Sequence, residues 1–375
     1  MKPEIGYGLV GVSGFAEFCL EQYQTLEGLK PVAVWNRTPD KAARLAAQYG
    51  LRHHPNLEAL VSDPEVHLVH VATIPSLHAV QAMAALAQGK HVLCEKPLAV
   101  SISEAEAMMA LALDKHVLCG INFVMRYGPL WAPVNVLARE RILGAPLRAE
   151  VVNCAGDSGL PANHWFWDEN RSGGIFVEHG VHFFDLIASW FGAGGTVMSA
   201  ECLYRPGTAF VEQVSCNVRY GEQTSAGFYH GFHQFDCLDR QQVRLIFERG
   251  ELLLSGWVAG TLQLRAALNT VQRRRVEALF PTAQISQFSD ASGLHRRRGR
   301  EEGIDVALEL TWADPRDSQT RYGAAIRDLM ADLIEAIRNP GHVPRVGATE
   351  GLAALRQAVS ARELWREASP TASPS

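Results

Sequence analysis

The first 122 residues alternate short apolar runs with amphipathic stretches. The runs fall at Ile5–Val10, Pro31–Trp35, Val66–Thr73, His91–Cys94 and Val117–Ile121, and segments such as DKAARLAAQYG and HAVQAMAALAQGK between them have helical spacing. Strands that alternate with helices predict an α/β domain with a parallel, doubly wound sheet over residues 1–122. Beyond Asn122 the rhythm changes. A helix is expected over Pro129–Glu140, a strand over Leu147–Cys154, a Gly-, Asn- and Trp-rich loop over Gly156–Ser172 and an apolar helix over Gly174–Phe191. From Val197 to Trp312 the period is two, as in EQVSCNVRY and DVALELTW, which predicts an open, mostly antiparallel sheet. Residues 123–348 thus read as an α+β domain, 349–368 as a C-terminal helix and 369–375 (SPTASPS) as a disordered tail. The charge cluster HRRRGREEG (295–303) reads as a solvated loop.

A chain of 375 residues exceeds one ordinary core and fits this two-domain division. A net charge of −5 gives neither a basic footprint for nucleic acid nor a polybasic membrane signal, so a small-molecule partner is expected. The start, MKPEIGYGLVGV, lacks a secretory pattern, and no run approaches the ~20 apolar residues that span a bilayer. A cytoplasmic protein is the expectation. The seven cysteines are scattered without CxxC spacing, which argues against a disulfide framework and a structural zinc site. His230 and His233 alternate on one strand without partner carboxylates in register, and no metal is expected.

Chemistry enters at the first strand. Ile5–Val10 runs into Gly11-Val12-Ser13-Gly14-Phe15-Ala16 and then a helical run. In a dinucleotide turn the first glycine makes the strand-to-helix bend, the second lets backbone approach a pyrophosphate and the third position admits close helix packing. Gly11 and Ala16 fit the first and third roles, whereas Ser13 holds the second. The following strand ends in Asn36-Arg37-Thr38, where NAD-specific folds place a carboxylate for the ribose 2′-hydroxyl. A neutral Asn36 and a guanidinium at Arg37 predict NADP in preference to NAD.

Two further segments stand out. HVLCEKPLAVS puts Glu95-Lys96-Pro97 at the carboxyl edge of the sheet, where ligands of open α/β sheets bind. A lysine there can stabilise negative charge developing on a carbonyl oxygen. In SGGIFVEHGVHFFD, a helix would set Glu178, His182 and Asp185 on one face, with a carboxylate beside a histidine that can move protons near neutral pH.

VATIPSLHAVQAMAALAQGKHVLCEKPLA and SGGIFVEHGVHFFDLIASWFG resemble the corresponding segments of the glucose-fructose oxidoreductase, inositol dehydrogenase and rhizopine catabolism protein (Gfo/Idh/MocA) family. The resemblance extends through PRVGATEGLAALRQAVSARE. It implies a Rossmann domain followed by an open antiparallel sheet domain. It also implies that Lys96 and His182 are catalytic, with Glu178 in the place of the usual Asp. Gly11, Ser13, Gly14, Phe15, Ala16, Asn36, Arg37, Thr38, Thr73, Ile74, Pro75, His78, Glu95 and Lys96 would line the cofactor, His78 near the nicotinamide. Asn122, Arg126, Tyr127 and Asp185 would face substrate, together with His164 and Trp165 of the loop PANHWFWDENRSG, whose aromatic planes suit sugar rings.

The activity these features imply is hydride transfer between NADP, or NAD, and a secondary alcohol or ketone of a sugar, cyclitol or related polyol. A homodimer or homotetramer packed through the C-terminal sheet is implied as well. Two alternatives share most of the residues: a nicotinamide-dependent glycosidase or lyase with internal redox cycling, and a non-catalytic dinucleotide-binding sensor.

Overall fold

The computed structural model describes residues 4–368; the tail expected over 369–375 lies outside them. Six strands form a parallel sheet: β1 (Ile5–Val10), β2 (Leu29–Trp35), β3 (Arg52–His53), β4 (Leu68–Val71), β5 (His91–Cys94) and β6 (Cys119–Ile121). Their order is β3-β2-β1-β4-β5-β6, so the strand order reverses between β1 and β4. This is the doubly wound Rossmann arrangement, with its ligand crevice at the carboxyl ends of the strands. Two-residue β3 had no signal in the apolar pattern, because both its residues are exposed. The connecting helices are α1 (Gly14–Tyr23), α2 (Pro39–Tyr49), α3 (Leu57–Val61), α4 (Pro75–Ala87) and α5 (Ile102–Asp114). Strands β1 and β4 are buried along their whole length, as a sheet covered on both faces requires.

The later strands are β7 (Pro146–Gly156), β8 (Thr196–Tyr204), β9 (Val211–Tyr220), β10 (Thr224–Gln234), β11 (Arg240–Phe247), β12 (Gly250–Ser255), β13 (Thr261–Leu268), β14 (Gln284–Ser289), β15 (Gly293–Arg297), β16 (Arg300–Ile304) and β17 (Val306–Ala313). Nine of them make one sheet in the order β14-β17-β13-β12-β11-β7-β10-β9-β8. It is antiparallel except where β7 meets β10 in parallel. Alternation along β13 and β9 buries every second side chain, which is the period-two signal read from the sequence.

The remaining pair, β15 and β16, corrects the expectation of a loop over 295–303: HRRRGREEG folds into a β-hairpin. Its turn residues Arg298 and Gly299 both have positive φ, 48° and 76°, as a two-residue hairpin turn requires. Charge supports it, with Arg297 paired to Glu302 across the hairpin and Arg298 to Glu248, the residue after β11.

The chain packs as two compact units that are discontinuous in sequence. One holds the residues up to Tyr127 together with Leu160–Asp185 and Tyr322–Arg362; the other holds Gly128–Gly159, Leu186–Arg321 and the chain from Glu363. The parallel sheet, the Glu-Lys-Pro turn and the segment carrying Glu178, His182 and Asp185 thus belong to one unit.

Candidate active site

The glycine turn is built on close approach. Gly11 has φ +99°, and a Cβ there would sit 2.5 Å from the carbonyl oxygen of Ala72, so no other residue fits without displacing backbone. Ser13, which departs from the usual glycine, is the N-cap of α1: its backbone is extended and its hydroxyl accepts from Ala16 N at 3.2 Å. Gly14 opens the helix beside open space, with nothing within 4 Å of where a Cβ would stand. The amides of Gly14 and Phe15 have no intrahelical acceptor and face an exposed helix N-terminus, which suits a pyrophosphate. Buried Ala16 packs that helix on the sheet. These residues fit a bound dinucleotide.

Asn36 is engaged within the protein. Its Oδ1 accepts from Val12 N at 3.1 Å and its Nδ2 donates to Thr38 O at 3.0 Å, which ties the glycine turn to the start of α2. Thr38 stands at the N-cap of α2 without a capping hydrogen bond. Arg37 is exposed, and no ion pair holds it among the described residues.

After β4, Thr73 donates to Gln81 at 2.6 Å, Ile74 is the N-cap of α4 and Pro75 is its first residue. His78 is buried within that helix. Its Nδ1 lies 2.6 Å from Pro97 O and its Nε2 3.1 Å from Thr73 O, while burial pushes its pKa down. A neutral imidazole has one N–H, and the shorter contact assigns it to Pro97. The ring expected near the nicotinamide therefore joins the turn after β4 to the Glu95-Lys96-Pro97 turn.

Lys96 follows β5 and its side chain is 17% exposed. Its Nζ donates to Glu178 Oε1 at 2.5 Å and to the Glu178 carbonyl oxygen at 2.7 Å. Local backbone explains how one residue offers both oxygens. Gly173 and Gly174 both have positive φ, and a Cβ on Gly173 would lie 2.5 Å from Val177 Cγ1. The chain then enters a π-helical turn over Phe176–Gly180 before the α-helix Val181–Phe191. This corrects the single regular helix expected over Gly174–Phe191: the wider turn carries the Glu178 carbonyl that Lys96 takes.

The other members of that segment have separate partners. Asp185 is buried and accepts both Arg126 Nε at 2.8 Å and Arg126 Nη2 at 2.6 Å. Burial pushes its carboxyl up to about 7 against the pull of the guanidinium. His182 is buried with its ring edge-on to Phe123, centroids 6.0 Å apart. Tyr127 donates to Asp332 at 2.5 Å beneath the Arg345 guanidinium, and burial raises its pKa. Arg126, Tyr127 and Asp185, expected to face substrate, thus have their polar groups engaged with the protein itself.

His164 is half-buried. Its Nδ1 accepts from Phe166 N at 3.3 Å, which leaves the hydrogen on Nε2, and its ring lies 5.1 Å from that of Trp165. Burial and the charge of Arg171 lower its pKa, while the charge of Glu178 opposes them. Asn122 is buried and donates to Glu95 Oε1 at 2.7 Å, and His70 Nε2 approaches the same oxygen at 3.0 Å. Asn122 Oδ1 is buried with no protein partner among the described residues.

Sequence reasoning missed two groups. His70, inside the apolar run of β4, had a usable signal, since a polar side chain in a central parallel strand must find a partner. His179 lies with its Nδ1 3.9 Å from Glu178 Oε2, and burial together with the charge of Lys96 lowers its pKa to about 3. No spacing rule separated it from its neighbours. Among the described residues no cluster of side chains could hold a metal ion.

Residues 5–123 match the oxidoreductase family with an NAD-binding Rossmann fold, GFO_IDH_MocA. It is similar to the 1,5-anhydro-D-fructose reductase of Ensifer adhaerens, 30% identical over 185 residues, which are 48% of this chain and 55% of that protein. The chain spans about half the length of the first curated relatives it matches. Among solved structures, a levoglucosan dehydrogenase in complex with NADH and levoglucosan shares the fold with TM-score 0.76 at 17% identity, covering 97% of this chain and 98% of that one. The biliverdin reductase of Synechocystis sp. PCC 6803, in complex with biliverdin and NADP+, does so with TM-score 0.71 at 20% identity over 96% and 98%.

Proposed function

We propose that the protein is an NAD(P)-dependent dehydrogenase or reductase acting on a secondary alcohol or ketone of a sugar, cyclitol or related polyol. The observation that carries this reading is the Lys96–Glu178 pair, at 2.5 Å, where the β5 strand ends at the ligand edge of a Rossmann sheet. The bound nicotinamide supplies or accepts the hydride. The Lys96 ammonium, held by two oxygens of Glu178, keeps its third N–H for the substrate oxygen and stabilises negative charge there. His182 takes the hydroxyl proton as the carbonyl forms and returns it in the reverse direction. Glu178 fixes the lysine. His164, through Nε2–H, and Trp165, through its ring plane, contact the sugar.

The glycine turn holds the pyrophosphate on Gly14 and Phe15 amides. NADP is preferred, because no carboxylate occupies the end of β2 and Arg37 is exposed there, without an ion pair among the described residues, for a 2′-phosphate. The protein assembles as a homodimer or homotetramer through the outward face of the nine-stranded sheet, where Arg244–Glu251 and Arg265–Glu309 form cross-strand ion pairs. No described helix is long and apolar enough to cross a membrane, and seven scattered cysteines without CxxC spacing suit a reducing cytoplasm.

The test is a panel of sugars, inositols and their keto forms with either cofactor, followed by absorbance of the reduced nicotinamide. Net cofactor turnover with a polyol is expected. Cleavage of a glycosidic bond with no net change in cofactor would replace the dehydrogenase by an internally cycling glycosidase, and binding without turnover by a sensor.

A further inference from the structure

A row of polar side chains crosses the interior of the parallel sheet, one from each of four neighbouring strands. Tyr7 lies within β1 and His70 within β4; Glu95 directly follows β5 and Asn122 directly follows β6. Tyr7 Oη is 2.7 Å from His70 Nδ1, His70 Nε2 is 3.0 Å from Glu95 Oε1, and Asn122 Nδ2 donates to that same oxygen at 2.7 Å. All four residues are buried.

Counting hydrogens assigns the charges. The Tyr7 hydroxyl has His70 as its partner, so its hydrogen goes to Nδ1; a doubly protonated ring would leave that hydrogen without an acceptor in the core. The His70 ring is then neutral and donates from Nε2. Two neutral donors converge on one oxygen, which is what a carboxylate accepts. The cations nearby are committed elsewhere, Lys96 to Glu178 and Arg126 to Asp185. As the carboxylate, Glu95 places a negative charge in the interior with no lysine or arginine bonded to it among the described residues.

The row runs from positions inside β1 and β4 to the carboxyl ends of β5 and β6, the side of an open α/β sheet on which ligands bind. It ends at Asn122, whose Oδ1 is a buried acceptor without a protein partner among the described residues.

We propose that Glu95, held by the Tyr7–His70 pair and by Asn122, is a fixed negative charge that favours the oxidised, cationic nicotinamide over the reduced, neutral one. An anion fixed in a low-dielectric interior attracts a cationic ring and is nearly indifferent to a neutral one. Glu95 is in this sense a positioning residue, acting on the oxidation state that the site prefers. The inference rests on the nicotinamide reading above.

Fluorescence titration of the full-length protein with oxidised and reduced cofactor, for wild type, Glu95→Gln and Tyr7→Phe, tests it. Glu95→Gln weakens the oxidised form relative to the reduced form by about tenfold or more, which corresponds to about 1.4 kcal/mol. Tyr7→Phe keeps the ring, removes the hydroxyl that fixes the His70 tautomer, and moves the ratio the same way by roughly two- to threefold. Circular dichroism establishes that each variant is folded, and if Glu95→Gln is not, Tyr7→Phe decides. An unchanged ratio, or equal weakening of both forms as a structural defect would give, overturns the proposal while leaving the nicotinamide reading intact. Failure of wild type to bind either form overturns both.

Discussion

Glu178→Gln isolates the role of the carboxylate that holds Lys96. The substitution keeps an oxygen acceptor of nearly the same reach but removes the charge, and the side chains of Lys96 and Glu178 are only 17% and 11% exposed. Removing one partner of a buried ion pair costs about 3–5 kcal/mol, because an uncompensated charge stays behind. The carbonyl oxygen of Glu178, 2.7 Å from Nζ, remains as an acceptor. The expected loss is therefore about 2–4 kcal/mol at pH 7. Urea denaturation at pH 7 measures it, together with the double variant Glu178→Gln/Lys96→Met, in which no buried ammonium is left and much of the stability returns. A single variant within about 0.5 kcal/mol of wild type at pH 7, or a double variant no more stable than the single one, would show that the pair does not fix the lysine.

His182→Ala and Lys96→Ala each lower kcat by on the order of 10²–10⁴ with little change in cofactor affinity, since proton transfer and oxyanion stabilisation act mainly in the transition state; steady-state kinetics beside cofactor titration check this. Arg37→Ala lowers kcat/KM for NADP relative to NAD, and an unmoved ratio makes Arg37 an ordinary surface residue. His179, with its pKa lowered to about 3, stays neutral in the folded protein while the unfolded chain takes up a proton below about pH 6.5, so stability falls as pH drops through that window. At pH 5 the loss is about 2 kcal/mol, and comparison of the urea-denaturation pH profile of His179→Gln with that of wild type should show it missing from the variant. Ser13→Ala removes the N-cap of α1 and destabilises by about 1 kcal/mol in thermal or urea melts.

Much of the fold was legible because its two sheets use different hydrophobic codes. Strands covered on both faces read as unbroken apolar runs, as in β1 and β4, whereas strands covered on one face alternate, as in β9 and β13. The same logic explains what was missed. Strand β3 is exposed, and the β15–β16 hairpin is held by a tight turn and cross-strand charge, so neither leaves an apolar pattern. Which distant segments share a compact unit is a matter of long-range packing, and periodicity does not report it.

At the site, motifs told which residue types were available but not which of them were free. Lys96 and Glu178 are separated by 82 positions and meet at 2.5 Å; a motif pointed to each, yet only the fold joined them. Arg126 and Asp185 looked equally functional and prove to satisfy one another, as do Asn36 with the glycine turn and His78 with the Pro97 carbonyl. A buried polar group must be bonded to something, and the protein itself is the commonest partner. The informative residues are those whose bonding remains incomplete after the protein has been counted. By that criterion the exposed Arg37 and the unpartnered Oδ1 of Asn122, rather than the doubly bonded Asp185, are the first groups to test for ligand recognition.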